Sequence, residues 1–132
     1  MVGTSQGRRM AVILLVDETA ADRDSIRSML QFSGCEVREA SSIAEAVAAI
    51  HDQAPDLLIT DLFLPDRHGL LFIRQTNSQF PAMTIIALDK QTETDARDYR
   101  RLAMDCGAAL VLTKPVSQIE LTTAITDFLG PP

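Results

Sequence analysis

The sequence is poor in the residues that mark secreted, zinc-binding or membrane proteins. Its 132 residues include two cysteines, one tyrosine and no tryptophan. Cys35 and Cys106 stand alone and without metal-ligand spacing, so we expect small buried apolar side chains rather than a disulfide or a zinc site. The longest apolar run, Met10 to Val16, is far too short to cross a bilayer. Residues 1–9 lack the apolar core of a signal peptide, and we expect a cytoplasmic protein with no membrane partner.

Basic charge is also scarce. The chain has 12 Lys and Arg against 18 Asp and Glu, a net charge of −6. The densest basic cluster, Arg97, Arg100 and Arg101, is flanked by acids, so nucleic acid is not an expected partner. The hydrophobic fraction of 46% and the length suit one globular core. We expect a flexible N-terminal tail at 1–9, one domain at 10–129 and a C-terminal tail at 130–132.

Short apolar runs alternate with helical patterns along the chain. This alternation predicts an α/β fold of the (βα)₅ type, a doubly wound five-stranded parallel sheet with right-handed crossovers. The predicted strands are Ala11–Val16, Cys35–Glu39, Leu57–Thr60, Met83–Leu88 and Ala108–Leu112. A second helix is predicted after Ser41 or Ser42 as its cap, with an apolar stripe at Ile43, Ala46, Val47 and Ile50. The other predicted helices are Ala20–Gln31, Gly69–Thr76, Thr94–Cys106 and Ser117–Leu129.

Charged residues follow four of the predicted strands. They are Asp17-Glu18, Asp61, Asp89-Lys90 and Lys114. The carboxyl ends of parallel strands meet at one edge of such a sheet, where ligands bind. Clustered carboxylates repel one another by ~1–4 kcal/mol per pair at ~4 Å, so a cation is expected among them. Mg²⁺ suits this set because it prefers carboxylate oxygens and leaves positions for water and phosphate.

These residue types also match phosphoryl transfer. A carboxylate can accept a phosphoryl group, given a metal and a fixed cation to offset the developing charge. Asp17 and Glu18 would bind the metal, Asp61 would be the nucleophile and Lys114 the cation. Any one of these acids alone would more often be a helix cap or a solvated loop residue. Asp22 and Asp56 are interpreted as helix caps only. Charged residues at three strand ends together favour a phosphoryl-transfer site over separate caps and loop residues.

Three motifs resemble the response regulator receiver family. They are VILLVDE at Val12 to Glu18, PDLLITDLFLPDRHG at Pro55 to Gly69 and LTKPV at Leu112 to Val116. The resemblance implies a flavodoxin-like sheet of order 2-1-3-4-5.

The resemblance also implies roles for individual residues. Asp61 would be the phosphoacceptor, and Lys114 would form a salt bridge to the phosphoryl group. Mg²⁺ would bind Asp17, Glu18, Asp61 and the backbone carbonyl of Phe63. Pro65 and Gly69 would shape the loop after the third strand, and Pro115 would follow a cis peptide bond.

Three positions depart from the family pattern. The acidic pair is Asp-Glu, so Glu18 reaches further than the commoner Asp. Asp89 stands where the family has a Ser or Thr that donates to the phosphoryl group, and an ionised carboxylate cannot donate. Val111 stands at the aromatic switch position and has no ring to move. Asp89 is therefore expected either in a plain loop role or paired with Lys90 or Lys114.

The resemblance implies two-component or phosphorelay signalling. A histidine kinase or phosphotransfer protein would phosphorylate Asp61, and output would pass through protein contacts on the helix 4–strand 5–helix 5 face, with a homodimer possible. The chain is then either a single-domain regulator or one domain of a longer protein. It would not be an enzyme beyond self-catalysed phosphoryl transfer and autodephosphorylation. Two alternatives stay open: a degenerate receiver acting as a phosphorylation-independent interaction domain, and a phosphohydrolase, against which Asp17-Glu18-Thr19 lacks the Asp-x-Asp pattern.

Overall fold

The structure is a computed structural model that describes residues 10–64, 69–90 and 96–131, apart from the side chains of 96–98. The predicted loop-shaping residue Pro65 and the predicted tail 1–9 lie outside the described residues. The described helices include none that is both long and apolar enough to cross a membrane.

Five parallel strands form one sheet in the order β2-β1-β3-β4-β5, which confirms the predicted fold class. β1 and β3 lie at its centre and are buried along their whole length, as continuous apolar runs require. The strands are β1 Val12–Val16, β2 Glu36–Ala40, β3 Leu57–Asp61, β4 Thr84–Lys90 and β5 Leu110–Lys114.

Five α-helices connect the strands and cover both faces of the sheet. α1 and α5 pack on one face through Ile26, Leu121 and Ile125, and α2, α3 and α4 pack on the other through Ile50, Ile73 and their neighbours. Ser42 and Ser117 cap α2 and α5 by accepting hydrogen bonds from Glu45 N and Glu120 N, and Ser42 is one of the two alternatives predicted for α2. The helices are α1 Ala20–Leu30, α2 Ile43–Asp52, α3 Gly69–Gln79, α4 Ala96–Cys106 and α5 Gln118–Leu129, and a 3₁₀ helix follows α1 at Gln31–Ser33.

Some predicted boundaries and core positions were wrong. α3 continues beyond Thr76 to Gln79, and β4 continues beyond Leu88 through Asp89 to Lys90. Leu102 and Phe128 continue the helical spacing of apolar residues in α4 and α5, yet they are 46% and 38% exposed. The reason is that an 11- or 12-residue helix contacts the sheet along a narrower strip than its apolar pattern covers.

Candidate functional site

The sheet brings three of the predicted residues to one place. Leu15, Ile59 and Leu112 belong to the core on the α1/α5 face. Side chains alternate along a strand, so the residues two positions further on, Asp17, Asp61 and Lys114, belong to that same face. They stand at the carboxyl ends of β1, β3 and β5, so the structure brings together this part of the predicted set.

Lys114 is the centre of this cluster. Its Nζ donates to Asp17 Oδ2 at 2.6 Å, Asp61 Oδ2 at 2.9 Å and Asp22 Oδ2 at 3.0 Å. Asp17 and Asp61 are 0% and 1% exposed, whereas the Lys114 side chain is 13% exposed. The Lys114–Pro115 peptide bond is cis, as expected.

The other oxygens of the two buried carboxylates are fixed by backbone donors. Asp17 Oδ1 accepts from Thr19 N at 3.0 Å, and Asp61 Oδ1 accepts from Phe63 N at 2.9 Å. Arg23 Nη1 donates to the Asp17 carbonyl at 2.6 Å, which joins α1 to the end of β1. The carboxylates are therefore oriented before any ligand arrives, with Oδ2 of each directed at the ammonium.

Burial and ion pairing oppose each other at this site. Burial raises the pKa of Asp61, although the Phe63 N–H and the Lys114 ammonium act in the opposite direction. Burial would lower the pKa of Lys114, but the hydrogen bonds to Asp17 and Asp61 outweigh it and the pKa of Lys114 is raised. Lys114 therefore remains a cation throughout the physiological range.

The residues offer a partial set of metal ligands. The carboxylates of Asp17 and Asp61 converge on one cation, the Lys114 ammonium, and the hard oxygens of these two carboxylates suit Mg²⁺. Glu18 lies exposed beside them. In the described ranges, no three His, Cys, Asp or Glu side chains are already grouped to hold a metal ion. Since Mg²⁺ commonly takes one or two carboxylates and several waters, the buried pair still fits it.

Asp22 is a member of the site that the sequence reading missed. It was interpreted as a helix cap, yet its carboxylate contacts Lys114, and it stands in the first turn of α1. The available signal was its position. A helix that begins directly after β1 places its first turn over the carboxyl edge of the sheet, where the other charged residues converge.

Asp89 lies on the opposite face of the sheet from Asp61. It follows Ala87, which packs in the α2/α3/α4 core, and it pairs in register with Thr113. Asp89 is 2% exposed, and its Oδ1 has no hydrogen-bond partner among the described residues. Burial raises the pKa of Asp89, opposed by the Lys90 backbone N–H and by the charge of Arg100. The expected pairing with Lys114 is not formed, because that ammonium is directed at Asp17, Asp22 and Asp61.

Residues of β5 and α4 surround Asp89. Val111 is buried in the core, and Arg100 on α4 donates to the Val111 carbonyl and to Thr113 Oγ1, both at 2.9 Å. Lys90 Nζ lies 5.5 Å from the centre of the Phe63 ring, so the Lys90 ammonium contacts an aromatic ring while its backbone N–H acts on Asp89.

Gly69 begins α3 where the chain returns from the site. Its N donates to the Leu62 carbonyl at 3.2 Å, and a Cβ at Gly69 would lie 2.4 Å from that same oxygen. Only glycine permits this approach, which agrees with the loop-shaping role expected for it.

Fold and site together define a doubly wound α/β domain with a buried Asp–Lys–Asp group at the carboxyl edge of its sheet. The chain belongs to the response regulator receiver family, because the family described as "Response regulator receiver domain" matches residues 13–126. Receiver domains are components of two-component systems, in which response regulators are generally partnered by histidine kinases.

Curated relatives and solved structures agree with this assignment. Response regulator MprA of Mycobacterium leprae is 34% identical over 117 residues, covering 89% of this chain and 50% of that protein. The Mycobacterium avium protein of the same name is 36% identical, with the same coverage. The chain thus spans about half the length of the curated relatives it matches.

Two solved structures show how closely the fold is shared. A receiver domain protein from Clostridium thermocellum is 31% identical, with a TM-score of 0.82 over 91% of this chain and 94% of that one. Chemotaxis response regulator CheY4 of Vibrio cholerae is 26% identical, with a TM-score of 0.80 over 92% of this chain and 100% of that one.

Proposed function

We propose that this receiver accepts a phosphoryl group on Asp61 from a phosphohistidine of a histidine kinase or phosphotransfer protein. The observation that carries the proposal is the contact of buried Asp61 with the Lys114 ammonium at 2.9 Å. An Asp61 oxygen attacks phosphorus, a P–O bond forms and the P–N bond breaks, and the histidine nitrogen keeps the electron pair. Lys114 offsets the charge that develops on the phosphoryl oxygens.

Magnesium dependence is part of the proposal. Asp17 and Asp61 would hold Mg²⁺, with Glu18 and the Phe63 carbonyl completing the protein ligands. Bound there, Mg²⁺ would neutralise charge on the transferred group. The chain's own contribution is to orient both carboxylates through the N–H groups of Thr19 and Phe63.

Output would pass through the face formed by α4, β5 and α5. Leu102 on α4 and Ile119 on α5 are 46% and 79% exposed, so each of these helices carries an apolar side chain that a partner could reach. The downstream partner would be another protein or a second copy of this chain. The proposal assigns the chain no turnover beyond its own phosphorylation and dephosphorylation, and places it in the cytoplasm.

The decisive experiment is phosphotransfer from a panel of histidine kinases, and from acetyl phosphate with Mg²⁺, to wild type and Asp61→Asn. We expect the mass of one phosphoryl group on wild type and none on Asp61→Asn. Asp56→Asn is the control, since Asp56 is used structurally and accepts from Val12 N. Labelling that persists in Asp61→Asn would falsify the assignment.

A degenerate receiver is the second candidate, and Asp89 favours it. A buried carboxylate with an unpartnered oxygen stands where the family has a hydroxyl donor, and Val111 offers no ring. Such a chain would give no amide NMR shifts near Asp61 or on the output face on addition of Mg²⁺ and beryllofluoride. The phosphoacceptor proposal requires shifts at both.

A further inference from the structure

We infer that Asp22 is a positioning residue of the site, which holds Lys114 until an incoming phosphoryl group displaces it. The inference rests on the proposed phosphoacceptor function of Asp61. It assigns to Asp22 the control of how readily Lys114 becomes available.

The donors of Lys114 are fully used. An ammonium group has three N–H donors, and Lys114 has three carboxylate partners, Asp17, Asp22 and Asp61, between 2.6 and 3.0 Å away. A phosphoryl oxygen that is to receive a hydrogen bond from Lys114 must therefore displace one of these carboxylates.

Asp22 is the partner whose contact costs least to break. The side chain of Asp17 is 0% exposed and that of Asp61 is 1% exposed, whereas that of Asp22 is 44% exposed. Water can solvate Asp22 when Lys114 leaves it, but a buried carboxylate without its counter-ion would be strongly destabilised. Asp17 is in addition fixed through Thr19 N, which holds it in place.

The Asp22–Lys114 contact also borders a depression in the surface. Both residues line a surface depression together with Ile26, Met29 and Val116. Because the Asp22 side chain is 44% exposed and lies 3.0 Å from the ammonium, its negative charge acts on any anionic donor that approaches Lys114. Asp22 therefore lowers the rate of phosphorylation in two ways, by occupying a donor and by repelling an anionic phosphodonor.

The test compares three variants for phosphorylation of Asp61 by acetyl phosphate at saturating Mg²⁺. Asp22→Ala should raise the rate roughly three- to tenfold and lower the donor concentration that gives half the limiting rate. Asp22→Glu keeps the charge and should return the rate toward the wild-type value. Asp24→Ala is the matched control, since it removes the same charge from α1 but Asp24 contacts Arg27 instead of Lys114.

The outcomes separate the two proposals. If Asp22→Ala and Asp24→Ala change the rate equally, Asp22 acts only through general charge and the inference is wrong. A slower Asp22→Ala with an unchanged thermal unfolding midpoint also contradicts it, because Asp22 would then assist the reaction. If wild type itself takes up no phosphoryl group from any donor, the proposed function fails and the inference fails with it.

Discussion

At the scale of single residues, Lys114 determines the charge state of the site. It is one cation among three carboxylates, and two of those carboxylates are almost completely buried. Before phosphorylation it is a structural counter-ion, and in the proposed reaction it becomes the group that offsets phosphoryl charge. The same side chain therefore affects both stability and chemistry.

Replacing Lys114 by Met should destabilise the fold by about 3 kcal/mol at neutral pH, because Asp17 and Asp61 would stay buried without a counter-ion. The pKa of Lys114 is raised in the folded state, so while Asp17 and Asp61 stay ionised its contribution is complete below the unfolded value of 10.5 and is lost as pH rises through the folded pKa. The loss in Lys114→Met should shrink on acidification, as the carboxylates become protonated. Urea titrations at several pH values measure it.

The double variant Lys114→Met, Asp61→Asn is the control for that experiment. It removes one buried charge along with the counter-ion and should recover part of the lost stability. A double variant less stable than Lys114→Met would contradict the assigned charge balance.

The charged form of Asp89 should lower the stability of the fold, whereas Lys114 raises it. Since burial raises the pKa of Asp89 above 3.8, the folded state disfavours its charged form, and stability is lost as pH rises through the folded pKa. Asp89→Asn should therefore gain about 1 kcal/mol over wild type at pH 7 and nothing below pH 3.8. Thermal melts across this pH range measure the gain. The control is Asp24→Asn at an exposed position, which should show no comparable gain.

At the scale of elements, the β3–α3 connection depends on a backbone contact. Gly69→Ala would bring a Cβ against the Leu62 carbonyl and should cost about 2 kcal/mol or more. Gly34→Ala is the comparison, because Gly34 has a φ of 72° but no atom within 4 Å of its Cβ position. That variant should lose only about 1 kcal/mol from backbone strain. Equal losses in the two variants would show that the Leu62 contact adds nothing.

The apolar residues of α2 were easier to predict from local spacing than those of α3. The apolar stripe of α2 was predicted from the helical spacing of Ile43, Ala46, Val47 and Ile50; Ile43, Ala46 and Ile50 are buried and Val47 is half-buried. Phe72 in α3 was not singled out, although it is fully buried. The pattern of α3 has neighbouring apolar residues at Leu70 and Leu71, and only the packing angle decides which of them faces inward.

At the scale of the whole molecule, magnesium binding and stability should be linked. A ligand that binds only the folded state adds about 1.4 kcal/mol when present at tenfold its dissociation constant. We expect Mg²⁺ to raise the unfolding midpoint of wild type, and to raise that of Asp17→Asn much less. Calorimetric melts in Ca²⁺-free buffer at fixed ionic strength measure the shift. The control variant is Asp52→Asn, an exposed substitution at the end of α2. An equal shift in Asp17→Asn would place the bound ion elsewhere.

The sequence by itself determined the alternation of strands and helices, and hence the parallel sheet. It also identified Asp17, Asp61 and Lys114, because the carboxyl ends of parallel strands share one edge. These features follow from local periodicity and chain order.

Only the tertiary structure decided which charges touch. Asp22 contacts Lys114 because α1 turns back over the end of β1, a direction that no local pattern encodes. Asp89 was predicted at the site because it followed the predicted fourth strand, yet it lies within β4, and strand alternation turns it to the other face, where one of its oxygens has no partner among the described residues. Contacts of this kind join residues distant in sequence, and they depend on register and packing rather than on the residues alone.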